Sequence, residues 1–287
     1  MRRSHLSRRR LLGIGATAGA AGLGSALPTT PAVAAEHGMA AARTRRRHAI
    51  RIATFNIHHG AGPDDVLDLE HTAEVIAATD ADVVAVQEVD RHFRDRSDWK
   101  DQAGELARML AMRVVFGANI DLDPLEPGQP RRQYGCAILT QGAILSWRNT
   151  WLPKYPTSEQ RGLLEAVVQI HGTRLRVATT HMQHTDDAEW QEQADAIVDL
   201  LAGSPEPVFL TGDTNAVPEF PGMTTFTSRF TDVWAAVGIG EGLTTSHWRF
   251  DYIFTPPNAD IRHAWLICTD ASDHLPLVAD VVLPETR

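Results

Sequence analysis

Cysteine is scarce in this chain, with only Cys136 and Cys268 among 287 residues. Two cysteines make no disulfide framework. Both lie in apolar, strand-like runs, so the expectation is a pair of buried free thiols rather than a bridge. No Cys/His cluster has zinc spacing, and His181 and His184 have no cysteine or further histidine nearby. No serine stands in a Gly-x-Ser-x-Gly setting, which leaves a serine-hydrolase triad without support. Past the first 34 residues there is no second apolar span, no repeat and no long low-complexity linker. What remains is globular material, 43% apolar and 22% charged, with ample core for one large domain.

Residues 1–34 read as an export address. Ser7-Arg8-Arg9-Arg10-Leu11-Leu12 resembles the twin-arginine signal, a charge-free Gly- and Ala-rich stretch runs from Leu11 to Leu27, and Ala32-Val33-Ala34 offers small residues for cleavage. A retained membrane anchor is the alternative, but the stretch is short and weakly apolar, which favours cleavage. This reading makes the export machinery a partner and places the protein outside the cell or in the cell envelope. Loss of five arginines and no acid would take the formal charge from −9 to −14. Such a surface holds polyanions poorly without a local basic patch or divalent cations. Residues 35–48, with Arg45-Arg46-Arg47, read as a flexible leader. One domain is expected over 49–287, as a monomer with no obligate protein partner.

Strand and helix patterns then alternate closely. Ile50 to Ile57 reads as a strand, Thr72, Val75, Ile76 and Thr79 have helical spacing, and the continuous run Val83–Val86 is a strand buried on both faces. Asp101 is placed to cap a helix carrying Ala103, Leu106, Ala107 and Leu110. Residues 119–133 read as a loop and Gly135–Thr140 as a strand. Leu163–Ile170 and Leu175–Thr180 read as a hairpin, 186–201 as a helix, and Val208 onward as a strand. Strands follow at Arg249–Phe254, His263–Cys268 and Leu277–Val282. Many strands and few helices favour a mixed α/β sandwich of two sheets over a doubly wound sheet.

Six segments end alike, each running from apolar residues into a polar one: Asn56, Glu88, His181, Asp213 with Asn215, Asp251, and Asp273 with His274. Together they predict a common mouth at one edge of the sandwich. Asp213 and Asn215, two apart beyond a strand end, share a side and are suited to hold a water and accept its proton, although an Asx turn uses the same residues. Glu88 closes an apolar run, and a buried carboxylate needs a partner. A hard cation such as Mg²⁺, held with Asn56 and Asp273, supplies one; pairing with Arg91 is the alternative. Asp251 is the candidate carboxylate that orients His274.

The chain resembles the metal-dependent endonuclease/exonuclease/phosphatase superfamily over about residues 49–284. The resemblance rests on Thr54-Phe-Asn56-Ile-His-His-Gly60, Gln87-Glu88-Val89, Tyr134-Gly-Cys-Ala-Ile-Leu139, Thr180-His181, Gly212-Asp213-Thr-Asn215, Asp251-Tyr-Ile-Phe254 and Ser272-Asp273-His274-Leu-Pro276. It implies a four-layered α/β sandwich, DNase I-like, with two packed mixed β-sheets flanked by helices and the site at one edge. It implies that Asn56 and Glu88 bind metal (Mg²⁺, with Mn²⁺ or Ca²⁺ as alternatives) and that Asp213 and Asn215 orient and activate water. It further implies that Asp251 and His274 form the family's Asp–His pair, that Asp273 is a second metal or water ligand, and that His181 lies near the scissile phosphate. Thr214 replaces the usual aromatic, and Met182-Gln183 the usual Leu-Asp.

The expected activity is hydrolysis of a phosphate ester, most readily a lipid or small-molecule phosphodiester, by in-line attack of water. Arg131, Arg132 and Arg161 are candidate phosphate contacts. A secreted nuclease is the rival within the class, and a degenerate binding module the rival outside it. The acidic charge argues against the first, and the presence of Glu88, Asp213, Asn215 and His274 against the second.

Overall fold

The computed structural model describes residues 49–284; the export address and the leader lie outside the described residues. Twelve strands among the described residues form two six-stranded sheets. The first contains β1 (Ala49–Asn56), β2 (Val83–Arg91), β3 (Arg113–Leu122), β4 (Arg132–Thr140), β11 (Asp260–Leu266) and β12 (Leu277–Val282), in the order β11-β12-β1-β2-β4-β3. The second contains β5 (Ala143–Trp151), β6 (Gly162–Ile170), β7 (Thr173–His181), β8 (Val208–Asp213), β9 (Thr231–Asp232) and β10 (Asp251–Thr255), in the order β5-β6-β7-β8-β10-β9. Both sheets are mixed. β1 and β2 run parallel through the crossover helix α1 (Leu69–Thr79), and β7 and β8 through the crossover helix that follows β7.

Side-chain alternation makes the layers. Ile52, Val83, Ile138, Val177, Phe209 and Ile253 fill one core between the sheets. Their neighbours along the same strands, Ala53, Val84 and Leu139, pack outward against α1 and α2 (Gln102–Leu110). Ala178, Leu210, Tyr252 and Phe254 pack outward on the other side, against α3 (Asp187–Leu201) and the short α4 (Thr224–Thr227). Helix, sheet, sheet, helix is the four-layered sandwich. Each longer helix begins on an aspartate that accepts from backbone N–H groups of its first turn: Asp68 from His71, Asp101 from Gly104, Asp186 from Ala188 and Glu189. α3 buries Trp190, Ala194, Ile197 and Leu201, a stripe at helical spacing. A short α5 (Val233–Val237) starts on Asp232, whose carboxylate also accepts from the two terminal guanidinium nitrogens of the buried Arg249 at 3.0 and 2.7 Å.

Several sequence expectations need correction. The loop read over 119–133 is confined to 123–131, because β3 and β4 stay paired as far as Leu122↔Arg132. β3 and β5 are edge strands with largely exposed or half-buried side chains, so they carry little apolar signal. Cys136 is buried, but Cys268 is exposed. β11 ends at Leu266, two residues before it, and the thiol falls outside the sheet.

Candidate active site

The alternation that builds the core also builds the site. Along β1 the inter-sheet face reads Ile50, Ile52, Thr54, Asn56; along β7, Val177, Thr179, His181; along β8, Phe209, Thr211, Asp213. At one end of the sandwich the inner face therefore turns polar on several strands at once. The first polar layer is tied by Gln87, whose amide donates to Thr179 Oγ1 of the opposite sheet at 2.8 Å and to Thr54 Oγ1 at 3.1 Å. This buried bridge holds the sheets in register just beneath the mouth.

Glu88 should face away from this layer, since it follows Gln87 directly. A bulge redirects it. The β2–β4 register shifts between Val86 and Val89, and Glu88 has φ +59, a left-handed conformation costly for a side-chain-bearing residue. Glu88 thus stands at a bulge within β2 rather than at a strand end. It is half-buried, and its Oε1 accepts from Asn56 Nδ2 at 2.9 Å. The same nitrogen donates to Asp213 Oδ2 at 3.0 Å, so one amide joins two carboxylates from opposite sheets. Asn56 Oδ1 accepts from His58 N at 3.1 Å. As placed, Asn56 turns hydrogens toward the carboxylates.

Asp213 is the hub. Its second oxygen accepts from Asn215 N at 2.8 Å, and His181 Nε2 and His274 Nε2 each lie 3.7 Å from Oδ2. Asn215 sits at φ +52 and donates its side-chain amide to Met182 O at 3.0 Å. His274 Nδ1 lies 2.7 Å from Asp251 Oδ2, and the latter side chain is fully buried. The next residue back, Asp273, is 52% exposed at its side chain and accepts from Ser272 Oγ at 3.3 Å.

Charge is unevenly shared here. Burial and the neighbouring Asp251 push the Asp213 carboxyl up to about 7, against the pull of His274 and hydrogen bonds from Asn215 and Asn56. Burial disfavours an imidazolium at His274, but the Asp251 charge and hydrogen bond, with Asp213 and Asp273, outweigh it and raise His274 to about 10. His181 goes the other way: burial, then the charges of Arg161 and His274, hold it well below its ordinary range. The site therefore sets one imidazole raised by Asp251 and one lowered by burial around a carboxyl that burial has raised. The donor set also fits a hard cation. Glu88 and Asp213 converge on one amide, and Asp251 Oδ1 is buried without a hydrogen-bond partner. Asp213, Asp251 and His274 also lie with ligand-type atoms within 4.8 Å of one another, but an imidazole held protonated by Asp251 has no lone pair for a metal.

A model of the endonuclease/exonuclease/phosphatase family matches residues 53–274. The chain belongs to the endonuclease/exonuclease/phosphatase family. Family members are hydrolases of phosphate esters. Among solved structures, an endonuclease/exonuclease/phosphatase from Beutenbergia cavernae is 26% identical, with 82% of this chain and 72% of that chain covered and a TM-score of 0.71. The same fold is shared with a mannosyl-6-phosphatase of Bacteroides thetaiotaomicron (16% identity, 82% and 100% covered, TM-score 0.64). It is also shared with D. rerio TDP2 complexed with a single-strand DNA product (19% identity, 82% and 99% covered, TM-score 0.60). No curated protein sequence matches this chain significantly.

Within this family member, Asn56, Glu88, His181, Asp213, Asn215, Asp251 and His274 come together, with Asp273 at the rim. The arginines separate. Arg131 is exposed and bound by Asp121 and Asp123, and Arg132 donates to the Asp123 carbonyl. Arg91, the alternative partner of Glu88, pairs instead with Asp101. Arg161 is buried, and its charge acts on His181. It contacts Glu159 at 3.0 Å, and its Nε has no hydrogen-bond partner. Two supports escaped the sequence reading. Ser272 Oγ donates to Asn56 O at 2.8 Å and accepts from His274 N, tying two strand ends together. Thr244 Oγ1 accepts from the backbone of Phe250 and Asp251 while its carbonyl accepts from Leu275 N, which fixes Asp251 against His274. Ser272 abuts the Asp273-His274 motif and was open to notice; Thr244 lies in an aperiodic loop with no signal.

Proposed function

We propose that the protein is an exported, Mg²⁺-dependent phosphodiesterase acting on a lipid or small-molecule phosphate ester by in-line attack of water. The observation that carries this reading is the placing of Asp213 Oδ2 at 3.7 Å from both His181 Nε2 and His274 Nε2. Asp213 accepts the proton of the attacking water, which Asn215 Oδ1 helps to hold. His274, kept cationic by Asp251, donates a hydrogen bond to a phosphoryl oxygen, and neutral His181 offers its ring N–H as a hydrogen bond to the leaving oxygen, which takes its proton from water. Arg161 offers its unpartnered nitrogen to a phosphate oxygen. Bound at Glu88 and Asp273, with Asn56 beside them, Mg²⁺ would neutralise charge on the phosphoryl group. Mn²⁺ and Ca²⁺ are the alternative ions.

The substrate class follows from charge. Arg131 and Arg132 are engaged by their own acidic loop, and the chain carries −9 overall. That favours a compact phosphodiester over a polynucleotide, which needs a track of free cations. Purified protein with Mg²⁺ should hydrolyse bis-p-nitrophenyl phosphate and one of sphingomyelin or phosphatidylinositol faster than plasmid DNA or p-nitrophenyl phosphate. Preference for plasmid DNA would make it a nuclease, and preference for the monoester a phosphatase. Inactivity on all four with Mg²⁺ would favour a binding module.

Two further outcomes are expected. Glu88→Gln should keep the fold, since the amide still accepts from Asn56, while weakening Mg²⁺ binding and activity together; wild-type Mg²⁺ affinity by calorimetry would remove Glu88 from the metal site. Export rests on Arg8 and Arg9. Replacing both with Lys should leave precursor inside the cell, and unchanged appearance of the protein outside would defeat the assignment.

A further inference from the structure

We propose that the turn after β1 forms a second cation site, distinct from the Glu88 site, in which His58, His59 and Asp65 bind a zinc-class divalent ion. One ligand atom from each of the three lies within 4.8 Å of the others. His59 Nε2 and Asp65 Oδ1 are 3.2 Å apart. Two ligands on a tetrahedral ion at about 2.0–2.2 Å stand roughly 3.3 Å from each other, so this pair already has the spacing of a loaded site. The two imidazoles pack edge to face, with ring centroids 4.5 Å apart. His59 is 4% exposed, and the Nδ1 atoms of both histidines are buried without a hydrogen-bond partner. Nε2 is the His59 atom that faces Asp65, so the orphan that points to a ligand is His58 Nδ1, which lies 4.0 Å from Asp273 Oδ1; a buried polar nitrogen is seldom left without a partner.

The chain around them is set in advance. Gln102 Nε2 holds the His59 carbonyl at 2.5 Å, and Ala61 pairs with Leu67 to fold the intervening loop back on itself. Within that loop Asp65 N donates to Gly62 O, and the Asp65 side chain, 75% exposed, leaves the site open to solvent. Two imidazoles and one carboxylate suit zinc, with a fourth position for water; Mg²⁺ prefers oxygen donors and keeps most of its own waters. The ordinary alternative is an ion pair between His59 and Asp65 with no metal. The site also has a mechanical link to the mouth, because His58 N is the donor that fixes Asn56 Oδ1. A metal on the His58 ring would stiffen that bond from outside the reaction.

Zinc content decides the matter without reading activity. Protein stripped with chelator, incubated with Zn²⁺ in large excess of Mg²⁺ and desalted should retain zinc, and Asp65→Ala should retain one equivalent fewer. Asp65 is exposed, so its removal does not threaten folding. His59→Gln should lose the same equivalent, while Glu88→Gln should keep it. Cobalt in place of zinc should give the visible absorption of a four-coordinate site in the wild type and lose it in Asp65→Ala. Equal zinc content in wild type and Asp65→Ala, or no zinc retained by the wild type, overturns the proposal. Neither result bears on phosphoester hydrolysis.

Discussion

Asp213→Asn should lower kcat by about 10² to 10⁴, the usual worth of general-base help, and leave KM nearly unchanged. That is roughly 3 to 5 kcal/mol of transition-state free energy at 1.36 kcal/mol per decade. The substitution is nearly isosteric, but both Asp213 oxygens accept from nitrogen, one from Asn215 and one from Asn56. An amide must therefore turn its hydrogens on one of these donors. A thermal melt on the same preparation separates that local cost from lost catalysis. The pH profile gives an independent sign. A base works only when deprotonated, so with the carboxyl raised to about 7 the wild-type rate should climb as pH rises through neutrality. A cation beside Glu88 favours the carboxylate, so this limb should move to lower pH as Mg²⁺ saturates. Asp213→Asn should lose the limb altogether. A variant within about threefold of wild-type kcat would mean that the base lies elsewhere, since general-base help is worth far more than that.

Much of this arrangement could be read from residue order, because period-two alternation links core and site. A strand whose inner face runs Phe209, Thr211, Asp213 announces both its buried side and its polar end, and β1 and β7 do the same. The crossover helices were equally open, since α3 carries its stripe at helical spacing behind an aspartate cap. Glu88 shows the limit. Its identity was legible, but alternation alone would aim it away from Gln87, and the bulge that redirects it is a backbone event with no glycine to mark it. Edge strands hide for another reason. β5 exposes most of its length, and an exposed strand need not alternate. Arg131 looked free because its partners, Asp121 and Asp123, fell in what read as loop; pairing of β3 with β4 brings them alongside. Cys268 was misplaced by a two-residue error in a strand end, enough to move a thiol from core to solvent.

Asp251 and His274 should behave as one unit, and a double-substitution cycle tests this. His274→Gln removes the cation proposed to face the phosphoryl group, and loss of one such donor typically costs about 10² to 10³ in kcat, about 2.7 to 4 kcal/mol. Glutamine keeps a donor near Asp251, which avoids leaving a fully buried carboxylate without a partner. Asp251→Asn leaves the imidazole in place but removes the charge that most strongly raises it, so burial then dominates and His274 titrates lower. The sign follows directly. With the role proposed for His274, which requires its protonated form, the wild type should stay active up to about 10, whereas Asp251→Asn should lose activity at lower pH as the imidazolium deprotonates. At a pH below that fall the Asp251→Asn rate should partly recover; His274→Gln should show no such recovery. In the double variant the Asp251 change should add little, because the proton it governs is gone, and kcat should match His274→Gln alone. Additive losses, or an alkaline limb unmoved by Asp251→Asn, would show that Asp251 does not act through the histidine, and the cationic role given to His274 would fall with it.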